Sequence, residues 1–463
     1  MTNAKALNSI IDAPGLAVAA ACMMLAMGGA LAGRAEAQTP PTQTGAAPVL
    51  KQDQIFSVVE TIATAAAERY SEAEAGAVLA RHLRKRLADG AYGALTIPSD
   101  LATTLTEDMR AAVPDVHLRA THDPGRAPTG RVRVQGAAGA VGAGGNLARV
   151  DGRSDAQIAR SNFGFERVER LGGNVGYLKL TQFVPPELSM DTAVAAMGFL
   201  GSRDAMIVDL RGVPGGSPDL VRRLISWFTG PEPVRLMASY NRATNETDEL
   251  WSVAEAPGRR MTGRPLYVLQ DGDTASAAEM FGYFVQRQHL GVIVGETSAG
   301  AGNGGAMIDA GSDIFVFLPQ RRVVDGPGWE RTGVAPDMPT KAANALDVAH
   351  LAALAKLGDA ATEPALKREL DWTAELVRAS QGGVVLPNTL GDFAGRFGAR
   401  TFEAGEDGLA LVSATGRQIL TRSGPDVFRG QRTRFTFNRA ASGLVDSVTA
   451  ETLAGETRRD PRS

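Results

Sequence analysis

The sequence predicts an α/β protein: a mostly parallel βαβ core, preceded by a helical domain and followed by an antiparallel β domain. Three observations predict this. Between residues 163 and 345, apolar runs such as Ala205–Leu210 and Leu266–Leu269 alternate with single helices, as buried strands joined by helical crossovers do. Residues 51–121 carry apolar side chains at helical spacing. Residues 384–463 break into short apolar runs split by Gly, Asp and Asn, the pattern of antiparallel strands. The 463 residues suffice for two or three domains. A composition of 44% hydrophobic and 21% charged residues is that of a globular chain, and with a net charge of -3 nothing argues for nucleic acid or an anionic membrane surface as a partner.

Taken in order, Leu16–Leu31 is apolar, and Ala35-Glu36-Ala37 forms an A-x-A site. Residues 1–37 therefore read as a secretory signal peptide, too short in its apolar run for a membrane anchor. The expected address is periplasmic or secreted, with no membrane span after cleavage. The single cysteine, Cys22, leaves with the signal, which removes disulfides and thiol chemistry from the mature chain. Residues 38–50 form a Pro/Thr/Gln-rich disordered leader. Gln54–Tyr70 is a helix with Ile55, Val58, Val59 and Ile62 on one face. Ala73–Leu87 is a second helix with a solvated basic face, and Ser99 is placed to cap a third through Ala112. Residues 114–118 leave that helix for an extended run to Ala120. Residues 122–162 read as a linker, nearly all Gly and Ala over residues 136–145.

The core strands are Val175–Leu180, Ala205–Leu210, Tyr267–Gln270 and Val292–Val294; the core helices are Met190–Leu200, Pro218–Phe228 and Ala277–Gln288. Val234–Trp251 and Ala306–Val324 alternate like hairpins. Residues 346–383 form a helical segment, with amphipathic patterns over Lys341–Lys356 and Pro364–Ser380.

Ser276 sits where a strand turns into a helix. Free N–H groups and the macrodipole at a helix start favour an anion, so a hydroxyl there can attack a carbonyl while neighbouring N–H groups hold the oxyanion. The plainer role for Thr274 or Ser276 is an N-cap. Asp209-Leu210-Arg211-Gly212-Val213-Pro214-Gly215-Gly216-Ser217 also joins a strand to a helix, and its tandem glycines let backbone approach a ligand closely. Gly300–Gly305 matches G-x-G-x-x-G, but a strand follows it instead of a helix, so it reads as a flexible loop beside a site. The G-x-S-x-G elbow is absent around Ser276. Of five histidines, His82, His289 and His350 lie on helices, while His117 and His122 flank a loop and strand. No H-E-x-x-H pair exists, and the sequence calls for no metal and no cofactor.

Five stretches in order resemble the tail-specific (C-terminal processing) protease superfamily, which includes tricorn core proteases and interphotoreceptor retinoid-binding protein modules. They are Asn174–Leu180, DLRGVPGG at 209–216, DGDTASAAEMF at 271–281, VGET at 294–297 and TGVAPD at 332–337. The helical part ending in Asp115-Val116-His117-Leu118 is similar to the retinoid-binding branch. The resemblance implies a crotonase-like, ClpP-like βαβ core and makes Ser276 the nucleophile. Tail-specific proteases use a Ser–Lys dyad, but Ala301 stands at the lysine's place and no lysine lies between Lys179 and Lys341. The tricorn branch uses His and Glu, which match His117 and Glu330. Residues 122–162 are too few and too Gly-rich for the PDZ domain that usually follows the helical part.

The resemblance thus implies a serine endopeptidase acting on peptide or protein substrates. His117 takes the Ser276 proton and returns it to the leaving amine, and Glu330 positions or polarises that pair. The N–H groups of Ala277 and of Gly215 or Gly216 bind the oxyanion, each worth about 3 kcal/mol of barrier. Glu279 supports the helix start. Two other readings share the fold: a carrier of hydrophobic ligands, and a non-catalytic envelope scaffold docking through its C-terminal domain. Oligomeric state is left open.

Overall fold

The computed structural model describes residues 49–125, 154–381, 389–414 and 416–463. The segment expected to be a signal peptide, most of the expected leader, Cys22 and the Gly/Ala stretch 136–145 lie outside the described residues. The amino-terminal helices are α1 (Gln52–Arg69), α2 (Ala73–Ala88) and α3 (Pro98–Ala112), followed by strand β1 (Arg119–His122). Helix α3 starts one residue before the expected cap. Ile97 is its N-cap without a side-chain bond, and Pro98 takes the first turn, where a missing N–H costs nothing. Within the expected linker, Asp155–Arg160 forms a short helix, α4, capped by Ser154.

The central sheet draws on β2 (Phe165–Leu171), β3 (Val175–Leu180), helix α5 (Pro186–Leu200), β4 (Ala205–Asp209) and helix α6 (Pro218–Ile225). A hairpin, β5 (Arg235–Asn241) and β6 (Glu246–Trp251), intervenes before β7 (Leu266–Gln270), helix α7 (Ala277–Arg287) and β8 (Val292–Gly295). Then come β9 (Gly305–Gly311), β10 (Ile314–Pro319), β11 (Arg321–Val323), β12 (Met338–Pro339) and helices α8 (Ala345–Ala360) and α9 (Pro364–Gln381). The six-stranded sheet runs β12-β8-β7-β4-β3-β2, parallel throughout except for the antiparallel edge pair β2–β3.

Period-two alternation decides which face each strand residue serves. Leu178, Leu180, Met206, Val208 and Val268 point into a core shared with α5, α6 and α7. Val175, Tyr177, Ala205, Ile207, Tyr267 and Leu269 point to the other face, which α8 and α9 cover with Ala345, Ala349, Ala353, Leu354 and Leu370. Both faces are therefore dry, which is why these strands read as unbroken apolar runs.

The amino-terminal helices share their core with the β9–β10 hairpin. Ile55, Val59, Leu105 and Leu118 pack with Ala310, Ile314, Val316 and Leu318, and β1 pairs antiparallel with β10, Ala120 opposite Val316. The carboxy-terminal part comprises β13 (Gly395–Phe397), β14 (Arg400–Gly405), β15 (Gly408–Ser413), β16 (Gly416–Ile419), β17 (Thr421–Gly424), β18 (Val427–Arg429), β19 (Thr433–Arg439), β20 (Val445–Thr452) and β21 (Thr457–Pro461). They form antiparallel sheets of four and five strands. Phe393, Phe397, Phe402, Phe428, Phe435 and Phe437 interlock between them, largely edge to face. No helix among the described residues is long and apolar enough to cross a membrane.

Phe437 meets the rings of Phe393, Phe397, Phe402 and Phe428 at centroid distances of 5.0–5.7 Å. Phe437→Ala is expected to cost about 3–5 kcal/mol in urea denaturation. A loss below about 1 kcal/mol would place the core of this part elsewhere.

Candidate active site

Strands β4, β7 and β8 run parallel and adjacent, so their carboxyl ends deliver three loops to one edge of the sheet. Open parallel sheets form their crevices at such ends. The loops are tied together before any ligand arrives. Thr274 Oγ1 donates to the Leu210 carbonyl at 2.9 Å, and Gly212 N–H to Asp271 Oδ1 at 3.0 Å. Ala275 N–H reaches the Val213 carbonyl at 2.9 Å, and Ala299 N–H the Thr274 carbonyl at 3.0 Å.

Ser276 caps the start of α7 with φ 55° and ψ −119°. A side chain there costs about 1–3 kcal/mol of local strain and persists only where surroundings enforce it. This is the sharp strand–turn–helix conformation of a nucleophile elbow, reached without the elbow's glycines. The room comes from a different loop. Gly215, with φ 114°, runs so close that a Cβ on it would lie 2.7 Å from Ser276 Cβ and 3.1 Å from Ala277 N. Gly216, with φ 136°, is equally confined, since its Cβ would lie 2.1 Å from the Phe183 carbonyl oxygen. Phe183 locks the two glycines by donating to the Gly215 carbonyl at 2.9 Å and accepting from Ser217 at 2.7 Å. Ala277 opens α7, where N–H groups lack an intrahelical acceptor.

Glu279 is fully buried beneath this corner. Its Oε2 accepts from Ser276 N–H and Ala301 N–H, both at 2.8 Å. Its Oε1 accepts from the Ser298 hydroxyl at 2.6 Å and Gly300 N–H at 2.7 Å. Burial pushes the carboxyl above its ordinary value, and these four donors oppose that push. Ala301, at the lysine's expected place, is buried and bound through its N–H to Glu279.

Glu330 holds the next two residues of the same loop. Its Oε2 accepts from Gly302 N–H and Asn303 N–H, both at 2.8 Å, while Oε1 is buried without a hydrogen-bond partner. The Gly300–Gly305 segment, expected to be flexible, is instead pinned at four consecutive N–H groups by two carboxylates. Burial, then the nearby Asp115 charge, pushes the Glu330 carboxyl up to about 7. Beside it opens a cleft of about 180 Å³, lined by Glu72, Asn303, Arg322, Trp329 and Glu330.

His117 lies on the turn between α3 and β1, its ring against Phe317 of β10 at a centroid distance of 5.4 Å. Neither ring nitrogen has a hydrogen-bond partner, so the expected Ser276–His117 bond is not formed in this conformation. Burial holds the imidazole below its ordinary pKa, Asp115 opposing and Arg110 adding to the effect. Asp115 was not singled out among the candidate residues. It is buried, accepts from His117 N–H at 2.8 Å through Oδ1, and accepts from the Tyr70 hydroxyl at 2.7 Å through Oδ2. Glu330 and Asp115 are electrostatic neighbours, so Glu330 and His117 belong to one cluster; Ser276, Glu279, Gly215, Gly216 and Ala277 form the other. The 298–303 loop connects them. No group of three or more His, Cys, Asp or Glu among the described residues is arranged to hold a metal ion.

Residues 174–340 match the model of peptidase family S41, and residues 48–136 match that of the N-terminal domain of peptidase S41 in eukaryotic IRBP. Over these residues the chain belongs to peptidase family S41. The carboxy-terminal processing protease CtpA of Bacillus subtilis (strain 168) is 26% identical over 193 residues, 40% of each chain. The carboxyl-terminal-processing protease of a Synechocystis species is 29% identical over 175 residues, 36% of this chain and 38% of that one. The chain thus spans about two fifths of the length of these curated relatives. Among solved structures, the photosystem II D1 C-terminal processing protease aligns with 62% of this chain and 93% of its own, at 14% identity and a TM-score of 0.41.

Replacing Glu279 by Ala leaves three buried N–H groups and one hydroxyl without their acceptor. At about 1–3 kcal/mol for each unsatisfied group, Glu279→Ala is expected to lower stability by several kcal/mol in chemical denaturation. A near-neutral result would show that water replaces the carboxylate. Glu330 gives a pH signature. Its folded value of about 7 lies above the ordinary 4.5, so its contribution to stability is full below the ordinary value and is lost as pH rises through the folded one. Comparing melting temperatures from about pH 5 to 8, Glu330→Gln is expected to decline less than the parent chain.

Proposed function

We propose that this chain is an exported serine endopeptidase that cleaves peptide or protein substrates through an acyl-enzyme on Ser276. The observation that carries this reading is the strained backbone of Ser276 at the start of α7, fixed from below by Glu279 and faced by Gly215. Strain at a hydroxyl, beside free N–H donors, is what attack on a carbonyl requires. Family membership and the processing proteases among the relatives support it. The A-x-A site at residues 35–37 supports export to the periplasm or beyond.

In this mechanism neutral His117 accepts the Ser276 proton as Oγ bonds to the scissile carbonyl carbon. The oxyanion is held by Ala277 N–H and by Gly215 or Gly216 N–H. The imidazolium then gives its proton to the leaving amine as the C–N bond breaks. Water, deprotonated by the same imidazole, releases the acyl group and regenerates Ser276. Burial suits His117 to this role, because it keeps the ring neutral at pH 7. The unpartnered ring closes on Ser276 when substrate fills the crevice, as catalytic hydrogen bonds commonly tighten only in the complex. With Ala301 at the lysine's place, a Ser–Lys dyad has no base.

Fluorophosphonate labelling and digestion of a peptide library test the proposal. Labelling and cleavage are expected in the parent chain, with both lost in Ser276→Ala and cleavage reduced about 10³-fold or more in His117→Ala. Because burial lowers the His117 pKa, the acidic limb of kcat/KM is expected below the ordinary histidine value of 6.5. Labelling that survives Ser276→Ala, or a limb above pH 8, would overturn the assignment.

A further inference from the structure

The geometry points to Asp115 as the carboxylate that positions His117 and stabilises its protonated form, an inference that rests on the peptidase reading above. Asp115 Oδ1 lies 3.8 Å from His117 Nδ1, and the Asp115 side chain is fully shielded from solvent. The same Oδ1 already accepts the His117 N–H at 2.8 Å, so it is fixed relative to the ring's own backbone. The other oxygen is clamped by the Tyr70 hydroxyl at 2.7 Å. Tyr70 is buried, and burial beside Asp115 holds its phenol protonated, so it remains a donor. Each oxygen of the carboxylate keeps a second lone pair, and Nδ1 is the ring atom that stands 3.8 Å from Oδ1. A small rotation of the ring converts 3.8 Å into a hydrogen bond. Nδ1 then carries the proton, and Nε2 is the basic atom free to face Ser276.

The turn that carries both residues is held by its own hydrogen bonds and by Arg110. Leu118 N–H donates to the Asp115 carbonyl at 3.2 Å, and Asp115 N–H to the Val113 carbonyl at 2.8 Å. Arg110 of α3 binds the Leu118 carbonyl at 2.9 Å and the Val116 carbonyl at 2.8 Å. Phe317 packs against the ring. Glu330 does not compete for this position. Its Oε2 is occupied by two N–H groups, and beside Asp115 its carboxyl titrates near neutrality. Glu330, pushed up to about 7, carries a proton through much of the working range, while Asp115 is the carboxylate that faces the imidazole.

A bland alternative exists, since an Asp accepting the N–H two residues on is an ordinary turn former. Asp115→Asn keeps that acceptor and removes the charge. The groups that bear on His117 are Asp115, Arg110, and, through Asp115, Tyr70 and Glu330. Removing the Asp115 charge leaves Arg110 unopposed, which favours the neutral imidazole. Asp115→Asn is therefore expected to lower kcat by about 10²–10⁴-fold with KM changed less than about threefold, and to move the acidic limb to lower pH. Tyr70→Phe keeps the carboxylate but frees Oδ2 of its donor, concentrating charge toward the ring. It is expected to move the limb to higher pH with a smaller loss in kcat. Opposite limb shifts are a readout that a turn-forming role does not produce.

Steady-state kinetics across pH, on full-length variants checked by circular dichroism, decide the matter. If Asp115→Asn does not fold, the Tyr70→Phe limb alone decides: an unmoved limb overturns the inference. An active, Ser276- and His117-dependent parent whose Asp115→Asn variant keeps its kcat and its limb also overturns it, while leaving the peptidase reading intact. A parent with no Ser276-dependent labelling overturns both.

Discussion

The structure hangs on one buried carboxylate. Glu279 lies one turn into α7 and receives four donors from two chain segments: the strained Ser276 corner and the loop leaving β8. Placing a carboxylate there without donors would carry a heavy desolvation cost, and leaving those donors without it would cost nearly as much. Neither partner is stable alone, so the corner and the loop are specified together. The left-handed backbone of Ser276 follows from this constraint, because its N–H must point down at Glu279 while its side chain faces Gly215.

Glu330 repeats the device one step along the chain. Gly300 and Ala301 bind the first carboxylate, and Gly302 and Asn303 bind the second, so the loop is stapled between two acids of unlike character. One acid is saturated with donors. The other keeps an oxygen free, and its proton is held near neutral pH beside Asp115. Between residues 300 and 303 the two acids are bound through backbone N–H groups alone, which ties the cluster around Ser276 to the cluster around His117. That explains why its residues are small: Gly302 has Glu330 backbone within 2.6 Å of where a Cβ would stand.

Most of the architecture was legible because two-sided burial writes itself into composition. Ala205–Leu210 could hardly be anything other than a central strand, and its observed neighbours on both faces are apolar. The start of the third helix was less legible, since Ser99 offers a cap but Pro98 fits the first turn better. Ser276 could be located from the strand–turn–helix order. Its strain could not, because the glycine that makes room for it lies 61 positions earlier, at Gly215, in another loop. Asp115 was in plain view two residues before His117, yet local sequence does not say that Tyr70 would occupy one of its oxygens. Contacts between distant segments carry no local signature, and most of this site is made of them.

Strand β1 is only four residues long, yet it fixes where the imidazole-bearing turn sits. Its partner β10 lies far downstream, with Thr121 reaching the Phe315 carbonyl across 194 positions. A ribosome emits the turn first, the hydroxyl corner next and the anchoring strand last. Under the proposed chemistry, the strand that docks the base is therefore made after the segment that carries the nucleophile, so the two clusters can come together only once β10 has emerged.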